Sequence, residues 1–203
     1  MTESLAGAQV TATGSGGPPP LIRKALLRDV GGLLRLINDY ATLGIMLPRS
    51  EFELAEGIRD FMVAVDESEL IGCGALHFYG PQTGEVRSLA VHPDWKNRGI
   101  GRRLVQALEE EARENGLRSV FAFTYVPGFF ARLGFAEVDR GDLPSKIWKD
   151  CLKCPKFQCC DEVAMRKVLV AQEGDEATPF RGRPDTDESA LAGPVLLPII
   201  RKQ

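Results

Sequence analysis

The run EVRSLAVHPDWKNRGIGRRL, residues 85–104, changes period part-way along, and that change decides the fold. Glu85 to Val91 is apolar or β-branched with charge interleaved, which reads as a strand. From Ile100 onward, Leu104, Leu108 and Ala112 recur every four residues, while Arg102, Arg103, Glu109, Glu110 and Arg113 fall on other faces. That pattern predicts an amphipathic helix over residues 99–115, stopped by Gly116. The join is Lys96-Asn97-Arg98-Gly99-Ile100-Gly101. Glycines at 99 and 101 let successive amide N–H groups point outward with no Cβ in front of them, so the turn is shaped to receive an anion. The helix N-terminus carries about half a positive charge, and Lys96, Arg98, Arg102 and Arg103 add side-chain cations. A pyrophosphate fits such a nest; a glycine pair before a helix is also an ordinary helix start.

Working outward, Leu21 to Leu26 reads as a short strand, and Asp29 is placed to cap a helix presenting Leu33, Leu34, Ile37 and Tyr40 on one face. Gly44 ends that helix. Ser50 with Glu53 three residues later forms a capping box for a second helix. Phe61 to Val65, Leu70 to Tyr79 and Glu85 to Val91 are strands of an antiparallel meander. Beyond the long helix come a strand over residues 120–125, a short helix through Phe130 and Leu133, and a strand near residues 135–138. This order describes one mixed α/β domain around a central sheet. Residues 1–20, ending GSGGPPP, are expected to be a disordered leader, residues 21–170 the domain, and residues 171–203 a flexible C-terminal tail.

At 203 residues and 44% hydrophobic content, one full-sized core is expected and two are not. A net charge of -3 supplies no broad basic face, which argues against nucleic acid as a partner. Apolar runs are too short to cross a bilayer and the N-terminus has no secretory pattern, so a cytoplasmic location is expected. Cys73 reads as a small core residue. Cys151, Cys154, Cys159 and Cys160 lie close together, and two readings stand: a structural Zn²⁺ site, or a reduced thiol-rich loop.

The stretch 85–104, together with FFARLGF at residues 129–135, resembles the GNAT superfamily of acyl-CoA N-acyltransferases. Lys96 stands where that superfamily most often has Gln or Arg. The resemblance implies a mixed sheet splayed into a V and flanked by helices, with acetyl-CoA as cosubstrate. Leu89, Ala90, Val91, Lys96, Asn97, Arg98, Gly99, Ile100, Gly101 and Arg102 would bind it. LPRS at 47–50 and DLPSK at 142–146 further resemble the acetyltransferase domain of bacterial N-acetylglutamate synthases. That implies transfer of acetyl to the α-amine of L-glutamate, the first step of arginine biosynthesis. Other amino acids, small amines or protein amines are alternative acceptors, and a non-catalytic acyl-CoA or metal-sensing module is the alternative of another class. Homodimers are common in the superfamily.

An α-ammonium must lose its proton before attacking a thioester, so a base is expected. The resemblance puts it at Glu85, whose alternative reading is a surface carboxylate at a strand end. It puts an oxyanion donor on the backbone near Leu89 to Val91, where the strand bulges. The tyrosine that often protonates the leaving thiolate is replaced by Phe130, leaving Tyr125 or solvent. Arg49, Ser50, Arg87 and Lys146 are candidates to hold the two carboxylates of glutamate, because guanidinium groups bind carboxylates in bidentate fashion. Arg87 alternates with Glu85 on one face of the strand.

Overall fold

The computed structural model describes residues 19–143, 151, 152, 154, 156 and 159–170. Lys146, the tail at 171–203 and all of the leader except Pro19 and Pro20 lie outside the described residues. Among the described residues the strands form a seven-stranded sheet in the order β1-β2-β3-β4-β5-β7-β6. These are Leu21–Lys24 (β1), Phe61–Asp66 (β2), Glu69–Phe78 (β3), Thr83–Val91 (β4), Ser119–Thr124 (β5), Ala136–Glu137 (β6) and Val163–Val168 (β7). Helices are Val30–Thr42 (α1), Glu51–Glu56 (α2), Ile100–Glu114 (α3) and Pro127–Ala131 (α4). The mixed α/β class expected from the sequence is the class observed. The described residues divide into two compact units, one drawn from residues 1–76 and 86–111 and the other from residues 77–85 and 112–203.

In the first unit β2 pairs antiparallel with β1 and β3, so its residues alternate between two apolar layers. Val63 and Val65 join Leu33, Leu36 and Ile37 of α1 and Leu54 of α2. Ala64 instead joins Ile71, Ile100 and Leu104, on the α3 side. The approach of α3 depends on glycine: a Cβ at Gly72 would lie 3.1 Å from Ile100 Cγ2 and 3.2 Å from the Ala90 carbonyl oxygen. Leu36, absent from the expected face of α1, is buried, while Leu34 and Tyr40 are half-buried.

Two side-chain helix caps were readable, and only one of them forms. Ser50 caps α2 through the Glu53 amide, and Glu53 answers by accepting from the Ser50 amide at 2.9 Å. Asp29 makes no side-chain cap to α1. Its carboxylate instead accepts from the Leu26 amide at 2.7 Å and from both terminal nitrogens of Arg23 at 2.6 and 2.9 Å. Arg23 competes successfully because a bidentate guanidinium pair is stronger than one neutral amide bond.

The second unit holds the sequence's main omission. β7 is inserted beside β5, antiparallel from Ser119↔Val168 to Thr124↔Val163, and β6 pairs with β7. The strand near residues 135–138 is thus two residues long. Phe121, Leu143 and Ala164 form the core here, with Tyr79, Phe123 and Val138 against it. Phe130 of α4 is buried, edge-on to Phe135 at 5.1 Å.

Candidate active site

The turn 96–101 adopts, at Gly99, the left-handed backbone that a glycine there allows. Gly99 sits at φ +79 with nothing within 4 Å of the position a Cβ would take. Asn97 also adopts a left-handed φ of +62, a conformation that asparagine tolerates better than most residues. Lys96, Asn97, Arg98 and Gly99 are exposed, and Ile100 turns inward to anchor α3 in the core. The first N–H groups of a helix have no intrahelical partner, which holds for those opening α3. The side chains divide into two groups. Lys96 lies over the Tyr40 ring at 5.0 Å and Arg98 over Trp95 at 4.8 Å, while Arg102 is exposed. Arg103 is engaged elsewhere, donating to the Pro20 carbonyl at 2.7 Å, so it ties the chain before β1 to α3.

In β4, where a bulge was expected near Leu89 to Val91, Ser88 has a φ of +51 and the burial alternation of the strand breaks just before Leu89, Ala90 and Val91. Cys73 Sγ donates to the Ser88 carbonyl at 3.4 Å. Cys73 is wholly buried, which pushes its thiol up to about 12 and keeps it protonated. It is the core residue expected. Past the bulge the Val91 carbonyl accepts from Tyr40 Oη at 2.6 Å. Tyr40 therefore braces both the strand end and Lys96, a role its apparent place on an apolar helix face concealed.

Arg49 is half-buried, and its main chain is clamped by Asn38: Nδ2 donates to the Arg49 carbonyl and Oδ1 accepts from the Arg49 amide, each at 2.9 Å. Its guanidinium makes no ion pair among the described residues. The Ser50 hydroxyl is engaged with Glu53 at the head of α2. Arg87 lies 3.8 Å from Asp60.

In the second unit, Glu85 is the last residue of the parallel ladder between β4 and β5, opposite Phe121. Its carboxylate accepts from Tyr79 Oη at 3.1 Å. Burial raises the Tyr125 phenol above its ordinary value, partly countered by Lys156, whose ammonium donates to Tyr125 Oη at 3.3 Å and lies over the ring at 4.8 Å. Tyr125 is therefore a protonated phenol at neutral pH. Glu162 is also raised by burial, with the Arg140 charge opposing. Arg140 donates to the Glu162 carbonyl.

The four cysteines of the 151–160 segment are free thiols, and no group of three or more His, Cys, Asp or Glu able to hold a metal ion occurs among the described residues. The zinc reading finds no ligand set there. Burial, before any neighbour, raises the Cys151 thiol, and the Cys160, Glu85, Glu162 and Cys154 charges add to it. No helix among the described residues is long and apolar enough to cross a membrane.

The first unit thus carries an exposed glycine turn at the head of α3, with Lys96, Arg98 and Arg102 around it. Comparison with known proteins identifies the family. Residues 36–135 match the acetyltransferase (GNAT) family. An uncharacterized N-acetyltransferase of Chlorobaculum tepidum is 45% identical over 73% of this chain and 96% of its own length. An amino-acid acetyltransferase of Mycobacterium tuberculosis is 34% identical over 64% of this chain and 76% of its own. Among solved structures, N-acetylglutamate synthase from Neisseria gonorrhoeae with coenzyme A and N-acetyl-glutamate superposes with a TM-score of 0.69 at 28% identity, covering 76% of this chain and 36% of that one. A Mycobacterium tuberculosis protein in complex with CoA and NLQ gives 0.66 at 30% identity, covering 74% of this chain and all of that one. The chain belongs to the acetyltransferase (GNAT) family and is an N-acetyltransferase.

Proposed function

We propose that this enzyme transfers the acetyl group of acetyl-CoA to the α-amine of an amino acid, with L-glutamate the first choice, and so has N-acetylglutamate synthase activity. The observation that carries the reading is the similarity to an amino-acid acetyltransferase over 76% of that relative's length. The solved N-acetylglutamate synthase with coenzyme A and N-acetyl-glutamate supports it.

Each part has a chemical task. The turn 96–101 takes the donor's pyrophosphate, with Lys96, Arg98 and Arg102 supplying charge and the amides at the head of α3 supplying directed hydrogen bonds. The backbone beyond the Ser88 bulge donates to the carbonyl oxygen as it gains negative charge. Glu85 removes the proton from the α-ammonium, directly or through water. The amine then attacks the thioester carbonyl, the C–S bond breaks, and the CoA thiolate is protonated by Tyr125 or by solvent. Arg49, whose main chain Asn38 holds in place, binds a carboxylate of the acceptor.

The test is an acceptor panel: initial rates of free CoA release from acetyl-CoA with L-glutamate, L-glutamine, other amino acids and simple amines. The proposal expects the highest kcat/KM among α-amino acids, with L-glutamate leading. Preference for a non-amino-acid amine would refute the acceptor assignment. Acetyl-CoA binding with no thiol release on any amine would refute catalysis altogether.

A further inference from the structure

Tyr79 was not among the residues singled out by the sequence, yet it is the group that holds the proposed base. Its Oη donates to Glu85 Oε2 at 3.1 Å. The two residues are six apart and face each other across the hairpin between β3 and β4. That hairpin is tied at both levels. The Tyr79 amide donates to the Thr83 carbonyl at 3.1 Å, and the Gln82 carbonyl accepts from the Arg118 and Ser119 amides at 2.8 and 3.1 Å. Thr83 Oγ1 and Ser119 Oγ are 3.2 Å apart, and Glu85 itself is in register with Phe121. The β4 side of the phenol–carboxylate contact is thus tied to β5, and the Tyr79 main chain is tied to β4 through Thr83.

The ring of Tyr79 is fixed as well. His77 meets it edge-on at 4.9 Å with an interplanar angle of 81°, and Phe121 packs against it at 5.8 Å. A phenol held between two rings loses little further freedom when its hydroxyl engages a carboxylate. The hydrogen bond therefore acts on Glu85 in two ways: it fixes which oxygen faces outward, and it favours the ionised form that a base needs.

We infer that Tyr79 is a positioning residue for acetyl transfer, acting through Glu85 by holding its carboxylate ionised and in one orientation. This inference rests on Glu85 being the base of the proposed reaction. Tyr79 touches neither substrate nor donor in this scheme. The Cys151 thiol lies within Coulombic range of Glu85, and His77 packs on the tyrosine ring. Cys151 is raised, chiefly by burial, and so is neutral at pH 7.

The variant to make is Tyr79→Phe, which removes the hydroxyl and keeps the ring between His77 and Phe121. A hydrogen bond to a charged group corresponds to roughly a tenfold effect or more. The expected result is a fall in kcat of about tenfold at pH 7, with KM for acetyl-CoA unchanged. The acidic limb of the kcat profile should move to higher pH by about one unit, so that much of the loss is recovered in alkaline buffer. The sign follows from the bond: losing a donor to the carboxylate makes it easier to protonate, so more alkali is needed to keep it ionised. In a Glu85→Gln background, Tyr79→Phe should leave the pH profile where it was. Three results would overturn the inference: an unchanged kcat in Tyr79→Phe, a loss equal at every pH, or a pH shift that persists in the Glu85→Gln background. Each of these is read on an active wild-type enzyme, whereas failure of the proposed function shows as absence of acetyl transfer in the wild type itself.

Discussion

Gly99→Ala isolates the backbone of the turn proposed to bind the donor from everything else. At φ +79 an L-residue with a Cβ is disfavoured by about 1–2 kcal/mol, and because nothing lies within 4 Å of that Cβ no packing clash adds to it. If the turn keeps its shape, the penalty appears as lost stability. If it relaxes in the free protein, CoA must restore the shape on binding and the same penalty appears as weaker affinity, about 5- to 30-fold at ~1.4 kcal/mol per tenfold. The assay is calorimetric titration with CoA alongside chemical unfolding. Together the two losses should total about 1–2 kcal/mol. Gly80→Ala is the control, since it too has open space around its Cβ but no left-handed φ. Unchanged affinity and unchanged stability in Gly99→Ala would refute the claim that this turn needs a left-handed residue to do its work.

Three further outcomes follow from the same geometry. Glu85→Gln should lower kcat at pH 7 by roughly a hundredfold, with the loss shrinking as pH rises and the α-amine deprotonates by itself, measured as the pH dependence of CoA release. Arg49→Lys should raise KM for L-glutamate about tenfold while KM for acetyl-CoA stays within about twofold, because an ammonium cannot replace a bidentate guanidinium. Asp29→Asn should lower unfolding free energy by about 2 kcal/mol at pH 7, since it weakens the pair with Arg23. Arg23 holds the Asp29 carboxyl below its ordinary 3.8, so this stabilisation is present above that pH and lost as pH falls through the depressed native value. The gap between wild type and variant should therefore close in acid.

The backbone of the turn proposed to take the donor was legible in the sequence. Gly99 reports on itself, because a glycine before an amphipathic helix is the signature of a turn needing positive φ, and the Ser50 box announces α2 through local bonds alone. Long-range partners were not legible. Val163 to Val168 has ordinary strand composition, but its insertion between β5 and β6 depends on pairings that cross tens of residues. Asp29 looked like a helix cap because Arg23, its stronger partner, belongs to another element. Tyr79 and Tyr40 counted as apolar in a periodicity reading, and their hydroxyls found Glu85 and the Val91 carbonyl only through the tertiary fold. Cysteine spacing invited a metal that no described ligand group supports, because short spacing brings thiols near one another without fixing a tetrahedron.

The most direct measurement is to incubate the wild-type enzyme with carbonyl-labelled acetyl-CoA and L-glutamate, and to follow the label by NMR and mass spectrometry. The account predicts label on the α-nitrogen of glutamate, with one equivalent of free CoA per acetyl group transferred. Label remaining in acetyl-CoA, or free acetate formed at a rate independent of the amino acid, would contradict it.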